Sequence, residues 1–199
     1  MADVEARLDE AALIIRCCEG DAGAFDLLVG AHASRVFNLA YRMLGSQQDA
    51  EDAAQEAFLR AFSALKKFRQ GAKFSTWIHR ITVNVCLDEL KRRRSRPQPL
   101  TSLYGEREGN PSNPAELSAA NPAATDPAEI VTRQAEQQEV QRALASLPPH
   151  QRAVVAMCDI EGLTYEEAAA ALNVGVGTIK SRLHRAREKL RQLLVPTGN

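Results

Sequence analysis

Apolar residues recur at three- and four-residue steps along most of this chain, the period of a helix buried on one face. Between Asp21 and Gly45 they fall at Phe25, Leu28, Val29, Val36, Leu39, Ala40 and Met43. Asp21 offers a carboxylate to the free amides of a first turn, and Gly45 supplies the conformational freedom that closes a last one. Ser46 with Asp49 three residues on resembles a capping box, although Glu or Gln is the usual partner. The helix it opens carries Ala50, Ala53, Ala54, Ala57, Phe58, Ala61, Phe62 and Leu65 inward. Gly71 breaks the pattern. Ser75 is then placed to cap a third helix, from Thr76 to about Ser95, with Trp77, Ile78, Ile81, Val85 and Leu90 as its apolar face. No strand-like alternation of useful length occurs, so the predicted fold is all-α.

Residues 96–129 differ. Six of the nine prolines (Pro97, Pro99, Pro111, Pro114, Pro122 and Pro127) fall between Arg96 and Ile130. Proline fixes φ and lacks a backbone donor, so this segment reads as a long extended linker. It divides the chain into two small helical domains, 1–95 and 130–199. In the second, a helix from about Pro127 to Ser146 ends at Pro148-Pro149, and another spans His150 to Ile160. Thr164 with Glu167 forms a full capping box for a short helix, Tyr165 to Leu172. Asn173 to Gly177 then turns into a last helix, Thr178 to Leu194, a helix-turn-helix pattern.

The 199 residues carry 25 bases and 25 acids, a net charge of zero that hides segregation. Residues 1–56 hold eleven acids and four bases, a net of −7, whereas residues 57–95 hold ten bases and two acids, a net of +8. Residues 96–130 carry five acids and two bases, and residues 131–199 nine bases and seven acids. Such polarity predicts two surfaces with different partners. No apolar run approaches a membrane span and the start lacks a secretory pattern, so a cytoplasmic protein without stable membrane insertion is expected. Cys17, Cys18, Cys86 and Cys158 form no C-x-x-C pair and keep no zinc spacing to a histidine. Free thiols in a reducing compartment are the expectation, with no metal and no cofactor.

Three constellations carry candidate chemistry. The last helix presents Thr178, Lys180, Ser181, Arg182, His184, Arg185 and Arg187 opposite a stripe of Ile179, Leu183, Ala186, Leu190 and Leu193. Arg and Lys donate to guanine edges or phosphates, and the second helix of a helix-turn-helix enters the major groove. On the third helix Arg80, Asn84, Asp88 and Lys91 share one side, and Lys91-Arg92-Arg93-Arg94 closes it. Phe68, Phe74 and Trp77 flank a short loop containing Arg69 and Lys73, and aromatic faces beside a basic groove suit stacking on unpaired bases. Phe74 and Trp77 also suit a core. Asn84, between Val83 and Val85, is expected to need a polar partner. On the second helix Asp49, Glu51, Asp52, Gln55 and Glu56 recur at three- and four-residue steps and read as a protein-binding face. No nucleophile, phosphate loop or metal set accompanies these acids, which argues against an enzyme.

The segments DAEDAAQEAFLRAF (49–62), FSTWIHRITVNVCLDELKRRR (74–94), LPPHQRAVVAMCDIEGLTYEEAAAAL (147–172) and GTIKSRLHRAREKL (177–190) resemble bacterial RNA polymerase sigma factors of the extracytoplasmic-function group. The resemblance implies a first domain that melts the minus-ten promoter element and a second that reads the minus-thirty-five element. It implies docking of Asp49, Asp52, Gln55, Glu56 and Leu59 on the beta-prime clamp helices of core polymerase, and contact of the second domain with the beta flap. By the same resemblance the minus-ten surface comprises Phe74, Trp77, Arg80, Asn84, Asp88, Lys91 and Arg92, with Asn84 helping to capture a flipped-out base. The minus-thirty-five surface comprises Thr178, Lys180, Ser181, Arg182, His184, Arg185 and Arg187. An anti-sigma partner and a linker threaded through the polymerase cleft are further implications. Gly175 stands where the family commonly has proline, and Ala53, Ala54 and Ala168 where bulkier apolar residues are frequent. Two rival functions remain open at this point: a stand-alone helix-turn-helix regulator, and a helical adaptor or anti-sigma antagonist that binds only protein.

Overall fold

The computed structural model describes residues 2–68, 73–95 and 127–194, all helical or in short connections. Helices α1 (Ala2–Cys18), α2 (Ala22–Leu44), α3 (Gln47–Ala64) and α4 (Phe74–Ser95) form a first unit, with a 3-10 turn at Leu65–Lys67. Helices α5 (Pro127–Ala145), α6 (Pro149–Val155), α7 (Tyr165–Leu172) and α8 (Val176–Leu194) form a second. The linker expected over 96–129 lies outside the described residues except for its last three, 127–129, which already belong to α5. Among the described residues no helix is long and apolar enough to cross a membrane.

Helix α2 is the axis of the first unit. The Asp21 carboxylate accepts from the Ala24 amide at 3.1 Å and is gripped by Arg16, and Gly45 closes the other end at φ 79°. Leu28, Val36, Leu39, Ala40 and Met43 are all but inaccessible. Against them α3 lays an alanine seam, Ala50, Ala53, Ala57 and Ala61. These small side chains let the two helices pack closely, since interaxial distance follows side-chain size. The Ser46 hydroxyl accepts from the Asp49 amide at 3.4 Å, and the Asp49 carboxylate lies 2.6 Å from Arg93.

Three helix starts differ from expectation. Helix α4 begins at Phe74, with the Trp77 amide bonded to the Lys73 carbonyl, so Ser75 lies inside the first turn and caps nothing. Helix α8 begins at Val176, where the Thr178 and Ile179 amides both reach the Gly175 carbonyl. Pro149 opens α6, because a first-turn residue needs no amide donor. Helix α6 then widens into a π turn, Ala156–Ile160. Helix α1, which the pattern did not delimit, buries Ile14 and Cys17 and leaves Cys18 exposed.

The units are docked. Ala153, Ala156, Met157 and Ala171 of the second unit are buried in the core of the first, whereas Val154, Val155, Ala168, Ile179 and Leu183 form the second unit's own core. The α6 segment is therefore a wall shared by two cores.

Candidate nucleic-acid and protein interfaces

The acidic face rises from α3. The alanine seam fixes its rotation, so Asp52, Gln55 and Leu59 point to solvent and Glu56 lies at the edge. Glu56 holds Arg60 at 2.7 Å, and Arg60 reaches Asp88 of α4 at 3.3 Å. Between the helices lies a groove of about 360 Å³, whose lining includes Asp49, Asp52, Glu56, Asp88 and Arg92. Residues assigned from sequence to two partners thus meet on one groove. Beyond them, Leu59 and Phe62 are each more than half exposed. Phe62 sits edge-on to Phe25, and its exposure was missed because its spacing placed it inward.

Helix α4 presents its basic side unevenly. A four-residue step advances about 40° around a helix, so a stripe at that spacing winds slowly. Its start, Arg80 and Asn84, is exposed and clear of the groove, while Asp88 and Arg92 border it. Asn84 faces water, so the polar partner expected for it is not required. Lys91 is exposed, whereas Arg92 binds Glu89 at 2.5 Å and Arg93 binds both Glu89 and Asp49. These arginines hold the Glu89 carboxyl below its usual range, chiefly through the hydrogen bond from Arg93.

The aromatic group divides. Trp77 is half-buried, 5.1 Å from Phe68 and 5.6 Å from Phe74 between ring centres. Phe74 is wholly buried, and its ring lies tilted against that of His32 at 5.2 Å between centres. The assignment of Phe74 to the nucleic-acid surface is therefore corrected here: the side chain is core, wholly buried in the first turn of α4, which starts at Phe74 rather than at Thr76.

On α8, Lys180, Ser181, His184 and Arg185 are exposed together, and Thr178 and Arg182 are half-buried beside them. Ile179, Leu183 and Ala186 are buried as expected, but Leu193 is half exposed. Two cations of this helix are engaged within the unit. Arg187 forms two bonds to Asp159 on the π turn, at 2.5 and 3.1 Å, and this pairing raises its affinity for its proton. Lys189 donates to the Ser146 carbonyl at 2.9 Å. Arg187 thus braces α8 against α6 while remaining half exposed. The spacing alone could not reveal Asp159, which stands 28 residues away.

Two buried groups escaped the sequence. His79 is only 3% exposed and neither ring nitrogen has a partner. Burial, with His32 and Arg35 nearby, pushes its imidazole down to about 4. Burial likewise pushes the Cys86 thiol up to about 12. Among the described residues no group of three or more His, Cys, Asp or Glu is placed to hold a metal ion.

With this geometry in view, residues 28–96 match the Sigma-70 region 2 family and residues 137–190 the Sigma-70 region 4 family. The chain is 42% identical over 172 residues to the ECF RNA polymerase sigma factor SigE of Mycolicibacterium smegmatis, covering 86% of this chain but 62% of that one. It is 34% identical to the ECF RNA polymerase sigma-E factor of Escherichia coli K12, covering 96% of both chains. Among solved structures, the sigma factor RpoE of Bartonella quintana, in complex with the anti-sigma factor NepR, superposes with a TM-score of 0.62 at 26% identity over 87% of this chain and 96% of that one. CnrH, in complex with the cytosolic domain of CnrY, shares the fold with a TM-score of 0.68 at 24% identity, covering 96% and 99% of the two chains.

Proposed function

The chain belongs to the extracytoplasmic-function group of the sigma-70 family, and from that membership we propose how its surfaces direct transcription initiation. The family consists of initiation factors, not enzymes. The α3 face of Asp52, Gln55, Glu56 and Leu59 docks on the beta-prime clamp helices of core polymerase, with Asp49 orienting Arg93 beside it. Arg80, Asn84 and Lys91 of α4, with Trp77 and the groove residues Asp88 and Arg92, engage the minus-ten element as it melts. Thr178, Lys180, Ser181, Arg182, His184 and Arg185 of α8 read the minus-thirty-five element in the major groove, and the second unit rests on the beta flap. An anti-sigma factor restrains the chain in the cytoplasm, and its promoters serve a stress or envelope regulon.

One observation supports this reading above the rest. An acidic protein-type face and an uncompensated basic helix face stand on separate units, each within the residues matched by its own family region. A stand-alone regulator has no need of the first face, and a purely protein-binding adaptor no need of the second. The test is co-purification with core polymerase. Asp52→Lys with Glu56→Lys leaves the helical signal and thermal midpoint near the parent's, because these side chains lie at the surface, and abolishes core binding. Undiminished core affinity in that variant rules the α3 assignment out.

A further inference from the structure

The aromatic cluster at the start of α4 has a polar support inside the first unit. His32 is 5% exposed and lies one turn from Leu28 and one from Val36 on the buried face of α2, where an aliphatic side chain would pack at no polar cost. Its Nε2 donates to the Glu10 carboxylate of α1 at 2.7 Å, across 22 residues of chain. Its Nδ1 has no partner among the described residues. A hydrogen bond to one ring nitrogen fixes the rotation of an imidazole, a constraint that a phenylalanine at the same place would lack. Glu10 stands ahead of the residues matched to region 2, which begin at 28.

The rings pass this orientation on. His32 and Phe74 lie 5.2 Å apart at 52°, and Phe74 and Trp77 lie 5.6 Å apart at 53°. Phe68 closes on both, at 6.0 Å from Phe74 and 5.1 Å from Trp77. Tilted and edge-on contacts are directional, because the edge of one ring seeks the face of the next. The series runs from the wholly buried Phe74 to Trp77, which reaches the surface. Helix α1 also packs on the 3-10 turn Leu65–Lys67, just ahead of Phe68, so it braces the cluster at two points.

We propose that His32, oriented by Glu10, is a positioning residue for promoter melting: it sets Phe74, and through it Trp77, in the attitude that stacks on an unpaired base. Helix α1 thus takes part in melting without touching DNA. This rests on the proposed use of Trp77 at the minus-ten element. Stacking depends on the attitude of a ring as well as on its presence, so a displaced Trp77 loses part of what an aromatic platform gives.

Trp77 is the chain's one tryptophan, so its fluorescence reports on this position without a label. Glu10→Leu removes the acceptor, His32→Phe keeps a ring and removes the donor, and Glu10→Gln keeps an acceptor in place. In the full chain the first two are expected to shift the Trp77 emission and its quenching by acrylamide, and Glu10→Gln to leave both as in the parent. The second arm uses holoenzyme on a promoter recovered from a pooled library. There the first two are expected to lower the permanganate reactivity of minus-ten thymines about fivefold, near the low end for one stacked base, with duplex binding unchanged. The double variant Glu10→Leu with His32→Phe is expected to lose no more than either alone, since both break one bond. Additive losses, or duplex binding that falls in step with melting, mark a general loss of stability and overturn the proposal. A Trp77 signal indifferent to both single variants overturns it too, as does melting at the parent's level while the signal shifts. A parent holoenzyme that melts no promoter faults the functional reading instead, and the fluorescence then decides the positioning alone.

Discussion

Helices α4 and α8 both carry basic stripes, yet they are packed differently. Helix α8 buries one face, on Ile179, Leu183 and Ala186, and leaves the opposite face to solvent. Helix α4 buries Phe74, Ile78, His79, Thr82, Val83, Val85 and Cys86, residues that span about half its circumference. It lies between α2 and α3 on one side and the second unit on the other. A helix whose neighbours all lie on one face can be read by periodicity alone. One with neighbours on two sides cannot, because an apolar side chain facing the second partner looks, in sequence, like one available to a ligand.

The comparison is broken most severely at Phe74. If it is core, Phe74→Ala costs about 3–5 kcal/mol of stability, measured by denaturant unfolding. If it is instead a surface residue, stability stays within about 0.5 kcal/mol and only DNA binding changes.

His79 sharpens the same contrast through pH. Its folded pKa of about 4 lies below the ordinary 6.5, so the unfolded chain takes up a proton first as pH falls. This contribution is fully present above pH 6.5 and is lost progressively toward pH 4, by about 3 kcal/mol at roughly 1.4 kcal/mol per unit. Unfolding curves from pH 7 to pH 4 should show that slope, and His79→Leu should flatten it.

Smaller effects separate the cations of α8. Arg185→Ala is expected to lose about 1–3 kcal/mol of binding at a preferred minus-thirty-five sequence, with unchanged stability. A uniform loss across all sequences marks a phosphate anchor instead. Arg187→Ala removes an ion pair whose arginine is half exposed, so it changes stability by about 0–1 kcal/mol and sequence preference not at all.

The second unit was legible because its signals are local. The Thr164 box, the turn at Asn173 and the α8 stripe each lie within a few residues. The acidic face of α3 was legible too, since an alanine seam defines its reverse. What escaped depends on distant partners: Arg187 on Asp159, Gln141 on Tyr41, and Phe74 on His32. The expectation that Ser75 caps α4 failed for a different reason. A residue of good capping chemistry yields when packing of Phe74 draws the helix start back past it.

The central claim is that this chain directs promoter-specific initiation through two DNA-reading surfaces on separate units. Run-off transcription with core polymerase on a pooled promoter library, sequenced with and without the protein, measures it directly. The account predicts transcripts that depend on the protein and whose templates share two short elements, the upstream one losing definition with Arg185→Ala. Transcripts indifferent to the protein, or templates with no shared element, would contradict it.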